Sequence, residues 1–122
     1  MKQVINVGKT VGPYSPAIIT SGSKFIFISG QIGDDLNADI HTQATQVIQK
    51  IEKLLESADV FLSDIVKTTI YLANINDFDA INEVFSKFFP SDPPTRATLE
   101  AAALPLNAGV MIEAIAIRDQ LE

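Results

Sequence analysis

Residues Ile65–Ala73 read IVKTTIYLA, and this β-branched run decides the fold class. Its side chains alternate in the way that is typical of a β-strand. The alternation places Val66, Thr68, Ile70 and Leu72 on one face and Ile65, Lys67, Thr69 and Tyr71 on the other. Amphipathic helices are predicted on both sides of the strand, over about Thr42–Ala58 and Asp77–Phe89, because apolar residues recur there at helical spacing. Asn76 is the predicted N-cap of the second helix.

Shorter β-type runs surround this segment. They cover about Lys2–Val7, Ala17–Thr20, Phe25–Ser29, Thr95–Ala102 and Gly109–Arg118. Ser21–Lys24 is predicted to be a hairpin turn between the second and third of them. The order β-β-β-α-β-α-β-β predicts an α+β fold, in which a single mixed β-sheet carries both helices on one face. Residues 1–122 are predicted to form a single domain.

Composition restricts the classes of partner. Apolar residues make up 47% of the chain, which indicates either a dense core or a subunit interface on the uncovered sheet face. The net charge of −6 disfavours nucleic acid as a partner. The absence of cysteine excludes disulfides and thiolate chemistry. No apolar run is long enough to cross a membrane, so no membrane partner and a cytoplasmic location are expected.

Several short motifs carry a resemblance to a known family. They are Gly12–Ala17, Ser29–Ile32, Ile65–Thr69 with the downstream Asn76–Phe78, Pro94–Thr98 and Ile112–Ala116. In order and spacing they resemble the RidA/YjgF proteins, over nearly the whole chain. The resemblance implies a chorismate-mutase-like fold assembled as a homotrimer, with sheets facing inward and ligand clefts between subunits. It also implies hydrolysis of reactive 2-imino and enamine acids, such as 2-iminobutanoate and 2-iminopropanoate, to 2-keto acids and ammonia without a cofactor.

Arg96 is the principal candidate for substrate binding and catalysis. Arginine binds a planar carboxylate through two parallel hydrogen bonds, and an imino acid carries such a group. Arg96 lies in the otherwise uncharged run Pro93–Leu99, where a lone guanidinium needs a partner. Residue types alone leave two partners open, a ligand carboxylate or a structural ion pair with Glu100 or Glu113. The resemblance matches Arg96 to the carboxylate-binding arginine of the family.

The resemblance assigns further substrate-binding residues, and each has a structural alternative. Tyr14 either lines the cleft or covers an edge of the core. Ser29 either contacts the ligand or satisfies the end of a strand, and Gly30 after it permits close backbone approach. Asn82 either binds at the site or faces solvent from its helix. Thr98 stands where many family members have cysteine, and it keeps a small hydrogen-bonding group.

The triplet Met111-Ile112-Glu113 departs from the family pattern. Deaminating relatives have Glu-Ile-Glu there, and the first glutamate is the one assigned to positioning the attacking water. A thioether cannot accept the proton of that water. Met111 is therefore kept only as a substrate-binding residue. Glu113 is the remaining candidate catalytic carboxylate, with a purely structural role as its alternative.

Two classes of function remain open on this sequence. The first is a 2-iminobutanoate/2-iminopropanoate deaminase that uses Arg96 and a water assisted by Glu113. The second is a non-enzymatic regulatory trimer that binds a small carboxylate, because Met111 has replaced the glutamate. A ribonuclease or translation inhibitor is disfavoured by the acidic charge. His41 is the single histidine, and without cysteine it predicts no metal site.

Overall fold

A computed structural model describes residues 1–120, and it contains the predicted order of six strands and two helices. The last two residues of the predicted 1–122 domain lie outside this range. The elements are β1 Lys2–Ile5, β2 Ala17–Thr20, β3 Lys24–Gln31, α1 Ile40–Glu56, β4 Ile65–Leu72, α2 Phe78–Phe88, β5 Thr95–Glu100 and β6 Val110–Arg118. The α+β class is therefore confirmed, with both helices within a residue or two of their predicted bounds.

The main sheet has the strand order β3-β6-β4-β5 and is mixed, as predicted. β4 and β5 run parallel, because α2 connects them as a crossover, and the other two pairings are antiparallel. β1 and β2 pair only with each other in a separate two-stranded sheet. The prediction of a single sheet was therefore wrong.

The predicted hairpin at Ser21–Lys24 was also wrong. β2 pairs with β1, whereas β3 pairs with β6, so the segment between β2 and β3 carries the chain from one sheet to the other. Gly22 packs against the end of β6, since a Cβ there would lie 2.8 Å from Ile117 Cγ2. Turn residues predict only that the chain changes direction. Which strands pair is decided by which of them bury a face in the core. Ile28 of β3 does so, with 7% exposure.

A local polar contact marks the start of α1, whereas α2 begins without a side-chain cap. Asp39 caps α1, and its Oδ1 accepts a hydrogen bond from the Thr42 backbone N–H at 2.8 Å. That hydrogen bond lowers the pKa of Asp39. The prediction of Asn76 as the N-cap of α2 was wrong, because a short 3₁₀ turn over Ile75–Asp77 precedes the helix and the N-cap is Asp77.

Both helices pack on the sheet face that carries Thr68, Ile70 and Leu72, all of which are at most 2% exposed. The predicted alternation of β4 holds except at Ile65, which was assigned to the opposite face and is buried. The pairing of β4 with β6 is irregular between Ile65 and Lys67, so Ile65 and Val66 both enter the core.

The opposite face of the main sheet has no covering layer within residues 1–120, and we call it the open face. Its residues include Phe25, Phe27, Ser29, Lys67, Thr69, Tyr71, Met111, Glu113 and Ile115. Phe25 and Phe27 are 55% and 73% exposed there. Large aromatic side chains exposed side by side on a sheet indicate a surface that binds another protein surface.

Gln43 is a buried amide that ties the start of α1 to the start of β6. Its Nε2 donates to the carbonyls of Leu36 and Ala38, and its Oε1 accepts from the Gly109 N–H at 2.9 Å. Gln43→Met is expected to lower the free energy of unfolding by about 3 kcal/mol, because buried backbone groups lose their partners. Urea unfolding measures this change. Gln49→Met on the exposed side of α1 is the matched control, and equal losses in both variants would contradict the prediction.

Candidate functional site

Arg96 lies on the helix-facing side of β5, at the edge of the main sheet. Its Nε donates to Thr98 Oγ1 at 2.8 Å, and its Nη2 donates to Asn82 Oδ1 at 2.6 Å. Thr98 is two residues along the same strand, and Asn82 projects from α2. Asn82 therefore binds the Arg96 guanidinium, and the alternative that Asn82 faces solvent is wrong.

Three aromatic rings surround the Arg96 guanidinium. Tyr14, Phe78 and Phe85 each have their ring centroid 5.2 Å from Arg96 Cζ. At this distance each ring face attracts the cation. We refer to Arg96, Tyr14, Asn82, Thr98, Phe78 and Phe85 as the arginine cluster.

Arg96 has no carboxylate partner among residues 1–120. Glu100 accepts a hydrogen bond from the Ile75 N–H, and Glu113 accepts one from the Tyr71 hydroxyl. The alternative of a structural ion pair with either glutamate is therefore wrong. Within the described part of the chain, the buried Nη1 of Arg96 has no hydrogen-bond partner.

Burial lowers the pKa of Arg96 to about 10, against a weak opposing effect of Tyr14. Even with this shift the guanidinium stays charged at neutral pH. The shift marks a cation whose hydration has been removed without compensation by an anion. A ligand carboxylate would supply the missing countercharge.

The loop that carries Tyr14 is fastened to the start of β5. Ser15 is 2% exposed, its hydroxyl donates to the Pro93 carbonyl, and its N–H donates to the Pro94 carbonyl at 3.1 Å. Gly12 lies against the cluster, since a Cβ there would be 2.9 Å from Asn82 Oδ1. A side chain at this position would displace Asn82, which explains the need for glycine.

A second group of predicted residues meets on the open face, where β3 contains a bulge. Ile28 pairs with Ala114 and Gln31 pairs with Ile112, so two residues, Ser29 and Gly30, stand opposite Glu113 alone. Ser29 and Glu113 line a cavity of about 280 Å³ together with Phe27, Lys67, Thr69 and Ile115. We refer to Ser29, Gly30, Met111, Glu113 and Tyr71 as the bulge cluster.

Met111 fills the space beside Gly30. A Cβ on Gly30 would lie 2.7 Å from Met111 Sδ, so the thioether occupies the volume that glycine leaves. Tyr71 pairs with Met111 in the register of β4 and β6, and its hydroxyl donates to Glu113 Oε1 at 2.7 Å. The hydrogen bond to Glu113 raises the pKa of Tyr71, so the hydroxyl keeps its proton at neutral pH.

A single chain does not bring the predicted site residues into one place. Arg96 is on β5 and Glu113 is on β6, with β4 between them, so their strands are two spacings apart. That separation is roughly 10 Å, from about 4.8 Å per spacing. Arg96 also faces the helices, whereas Glu113 faces the other way. Tyr14, Asn82, Arg96 and Thr98 therefore form one cluster, and Ser29, Gly30, Met111 and Glu113 belong to another.

Four contributors were not predicted from the sequence. Phe78 and Phe85 were assigned only to the apolar stripe of α2, and nothing in that stripe distinguishes a ring that stacks on a cation. Tyr71 was assigned to a face and given no role. Ser15 was only part of a motif, and its burial follows from contacts that residue types do not reveal.

The family model described as Endoribonuclease L-PSP matches residues 5–118, nearly the whole chain. The YjgF gene product of E. coli has the same fold, with a TM-score of 0.74 and 33% identity over 89% of this chain and 91% of that one. The chain belongs to the RidA/YjgF family. The family membership that the motifs predicted is thereby confirmed.

Other RidA/YjgF relatives extend the comparison. The human protein named 2-iminobutanoate/2-iminopropanoate deaminase is 36% identical, over 99% of this chain and 93% of its own length. A RutC family protein of Pyrococcus horikoshii is 40% identical, over 98% of this chain and all of its own. RidA of an Antarctic Psychrobacter has a TM-score of 0.74 at 34% identity, covering 94% of this chain and 98% of its own.

Residues 1–120 contain neither a candidate metal site nor a candidate membrane span. No group of three or more histidine, cysteine, aspartate or glutamate side chains is placed to hold a metal ion there. Neither described helix has the length and apolar character needed to cross a membrane. His41 instead forms an exposed pair with Glu83, with a distance of 2.9 Å between Nε2 and Oε2.

Proposed function

We propose that this RidA/YjgF protein hydrolyses reactive 2-imino acids, such as 2-iminobutanoate and 2-iminopropanoate, to 2-keto acids and ammonia. The observation that carries the proposal is the buried guanidinium of Arg96, which has aromatic and neutral partners and no anion in residues 1–120. A small planar carboxylate is the ligand that such a group binds best. The name of the human relative agrees with this substrate class.

The chemistry needs a bound imine and one directed water. Arg96 binds the carboxylate, and the water oxygen forms a bond to the imine carbon while Glu113 accepts a proton from that water. Glu113 passes that proton to the nitrogen, which gives a carbinolamine. Glu113 then takes the hydroxyl proton and transfers it to the nitrogen as the carbon–nitrogen bond breaks, so ammonia leaves, a 2-keto acid remains and Glu113 is again ionised. No redox change occurs, so no cofactor takes part in this scheme.

We propose that the complete site is formed between chains of a homotrimer. The arginine cluster lies on the helix-facing side of β5, whereas the bulge cluster lies on the open face of β3, β6 and β4. In this proposal a neighbouring chain therefore brings its bulge cluster to the arginine cluster. The aromatic residues exposed on the open face support an inward-facing sheet. In this arrangement Arg96 of one chain and Glu113 of the next act on the same imine.

Phe27→Glu is expected to dissociate the trimer, because it places a charge in the centre of the surface that is buried on assembly. Sedimentation velocity should show wild type at three times the monomer mass of 13.2 kDa, and the variant at the monomer mass. Leu54→Glu changes an exposed apolar residue of α1 outside the open face and serves as the control. A wild-type monomer would contradict the assembly proposal.

The function is tested by following the loss of 2-iminobutanoate generated in situ by an amino-acid oxidase. Acceleration by wild type, in proportion to protein concentration, supports the proposal. A loss rate equal to that of buffer, under conditions in which the protein is folded and assembled, overturns it.

The second candidate is a trimer that binds a carboxylate without turning it over, and it rests on Met111. Met111 stands where deaminating relatives of the resemblance carry the water-positioning glutamate, and it fills the space beside Gly30. Calorimetric binding of 2-ketobutanoate by a protein that does not accelerate imine loss would identify this case.

A further inference from the structure

Glu113 is held at one carboxylate oxygen. Its Oε1 accepts the hydrogen bond from Tyr71, and no other hydrogen bond to Glu113 forms within residues 1–120. Glu113 is also the single carboxylate among the described residues that line the 280 Å³ cavity. The second oxygen is therefore available to a water molecule in that cavity.

The sheet places Tyr71 so that it reaches Glu113 from one side. Thr69 pairs with Glu113 on β4, and the Ser29–Gly30 bulge stands opposite Glu113 on β3. Tyr71 lies two residues further along β4 on the same face, so its hydroxyl crosses diagonally to the carboxylate. The side opposite Tyr71 is left for substrate and water.

A glutamate side chain has several rotatable bonds, and an unrestrained one spends little time in any single orientation. A hydrogen bond to one carboxylate oxygen restricts this motion and keeps the other oxygen in one orientation toward a water from which it can accept a proton. The pKa of Tyr71 is raised by Glu113, so the donor remains protonated throughout the range in which the enzyme would work.

We propose that Tyr71 is a positioning residue, which fixes Glu113 so that the second carboxylate oxygen directs the attacking water beside the Ser29–Gly30 bulge. This inference rests on the proposed function. It explains how a chain with Met111 in place of a carboxylate can keep a directed base on the open face.

The test uses the full-length protein and compares wild type, Tyr71→Phe, Glu113→Gln and the double variant in the 2-iminobutanoate assay. Tyr71→Phe is expected to lower kcat about tenfold with little change in KM, the usual effect of losing one hydrogen bond to a charged group.

The double variant is expected to be no slower than Glu113→Gln, because Tyr71 acts only through Glu113. Thr45→Val is the control, since it removes a hydroxyl hydrogen bond to the His41 carbonyl on α1, far from the open face. Sedimentation velocity checks that each variant keeps the wild-type assembly.

The outcomes separate the two proposals. A wild type without activity overturns the proposed function, and the positioning role with it. An active wild type with an unchanged Tyr71→Phe variant overturns the positioning role alone. The same holds if Tyr71→Phe lowers kcat but adds its full effect to that of Glu113→Gln, because Tyr71 would then act independently of Glu113.

Discussion

Arg96→Ala is expected to lower kcat/KM for 2-iminobutanoate by about 10²–10⁴-fold. Each hydrogen bond to a charged group contributes about 1.5–3 kcal/mol, and a bidentate carboxylate loses two of them. The effect should be near the upper limit, because the rings of Tyr14, Phe78 and Phe85 exclude the water that would otherwise solvate the carboxylate. Calorimetric binding of 2-ketobutanoate should be lost in the same variant.

Two further variants make this result specific. Arg118→Ala removes an arginine that stacks on Phe61 and pairs with Asp64, and it should leave kcat/KM unchanged. Arg96→Lys keeps the charge and loses the planar fork, so its activity should lie between wild type and Arg96→Ala. Full activity in a folded Arg96→Ala variant would remove the main support for the proposed function.

Met111→Glu is expected to raise kcat by about 10²-fold, the lower end of the effect of a well-placed general base. The new carboxylate would lie beside Gly30 and close to the bulge, in the volume that the thioether now fills. Stopped-flow loss of 2-iminobutanoate measures the change. Met111→Gln has the same length and cannot accept the proton, so it should show no gain.

The comparison with Glu113→Gln shows which carboxylate carries the reaction. Wild-type activity that falls in Glu113→Gln and rises in Met111→Glu means that Glu113 is a working but weaker base. Activity that appears only in Met111→Glu means that the natural chain binds carboxylates without hydrolysing imines. A Met111→Gln variant as fast as Met111→Glu would show that volume, and not the base, limits the rate.

Much of the fold follows from local patterns. The alternation in IVKTTIYLA and the apolar stripes of the helices depend on residues close in sequence, so the element order was predicted correctly. The assignment of strands to sheets was not predicted correctly, because it depends on which strands bury a face in the core. The turn before β3 has the composition of a hairpin and serves as a crossing between sheets. The irregularity after Ile65 also lies beyond strict alternation.

For the candidate site too, local sequence predicted the properties of single residues but not which residues come together in the fold. The uncharged surroundings of Arg96 predicted a cation in need of a partner, and the structure identifies its neutral neighbours as Asn82 and Thr98. The motifs named residues of both clusters together and did not reveal that the two clusters lie on opposite faces of one sheet. The rings of Phe78 and Phe85 have ordinary positions on a helix, so only packing distinguishes them.

The bulge in β3 has a consequence for how such a protein can change over time. Ile28 and Gln31 both pair with residues of β6 that are buried under the helices, although they are separated by two residues. Ser29 and Gly30 therefore stand outside the alternation that the core imposes on a strand. Mutations at Ser29 can alter the chemistry of the sheet surface without repacking the interior, whereas any side chain at Gly30 would collide with Met111. Substitutions at the bulge can therefore change which substrates bind, while the core residues that determine folding stability stay the same.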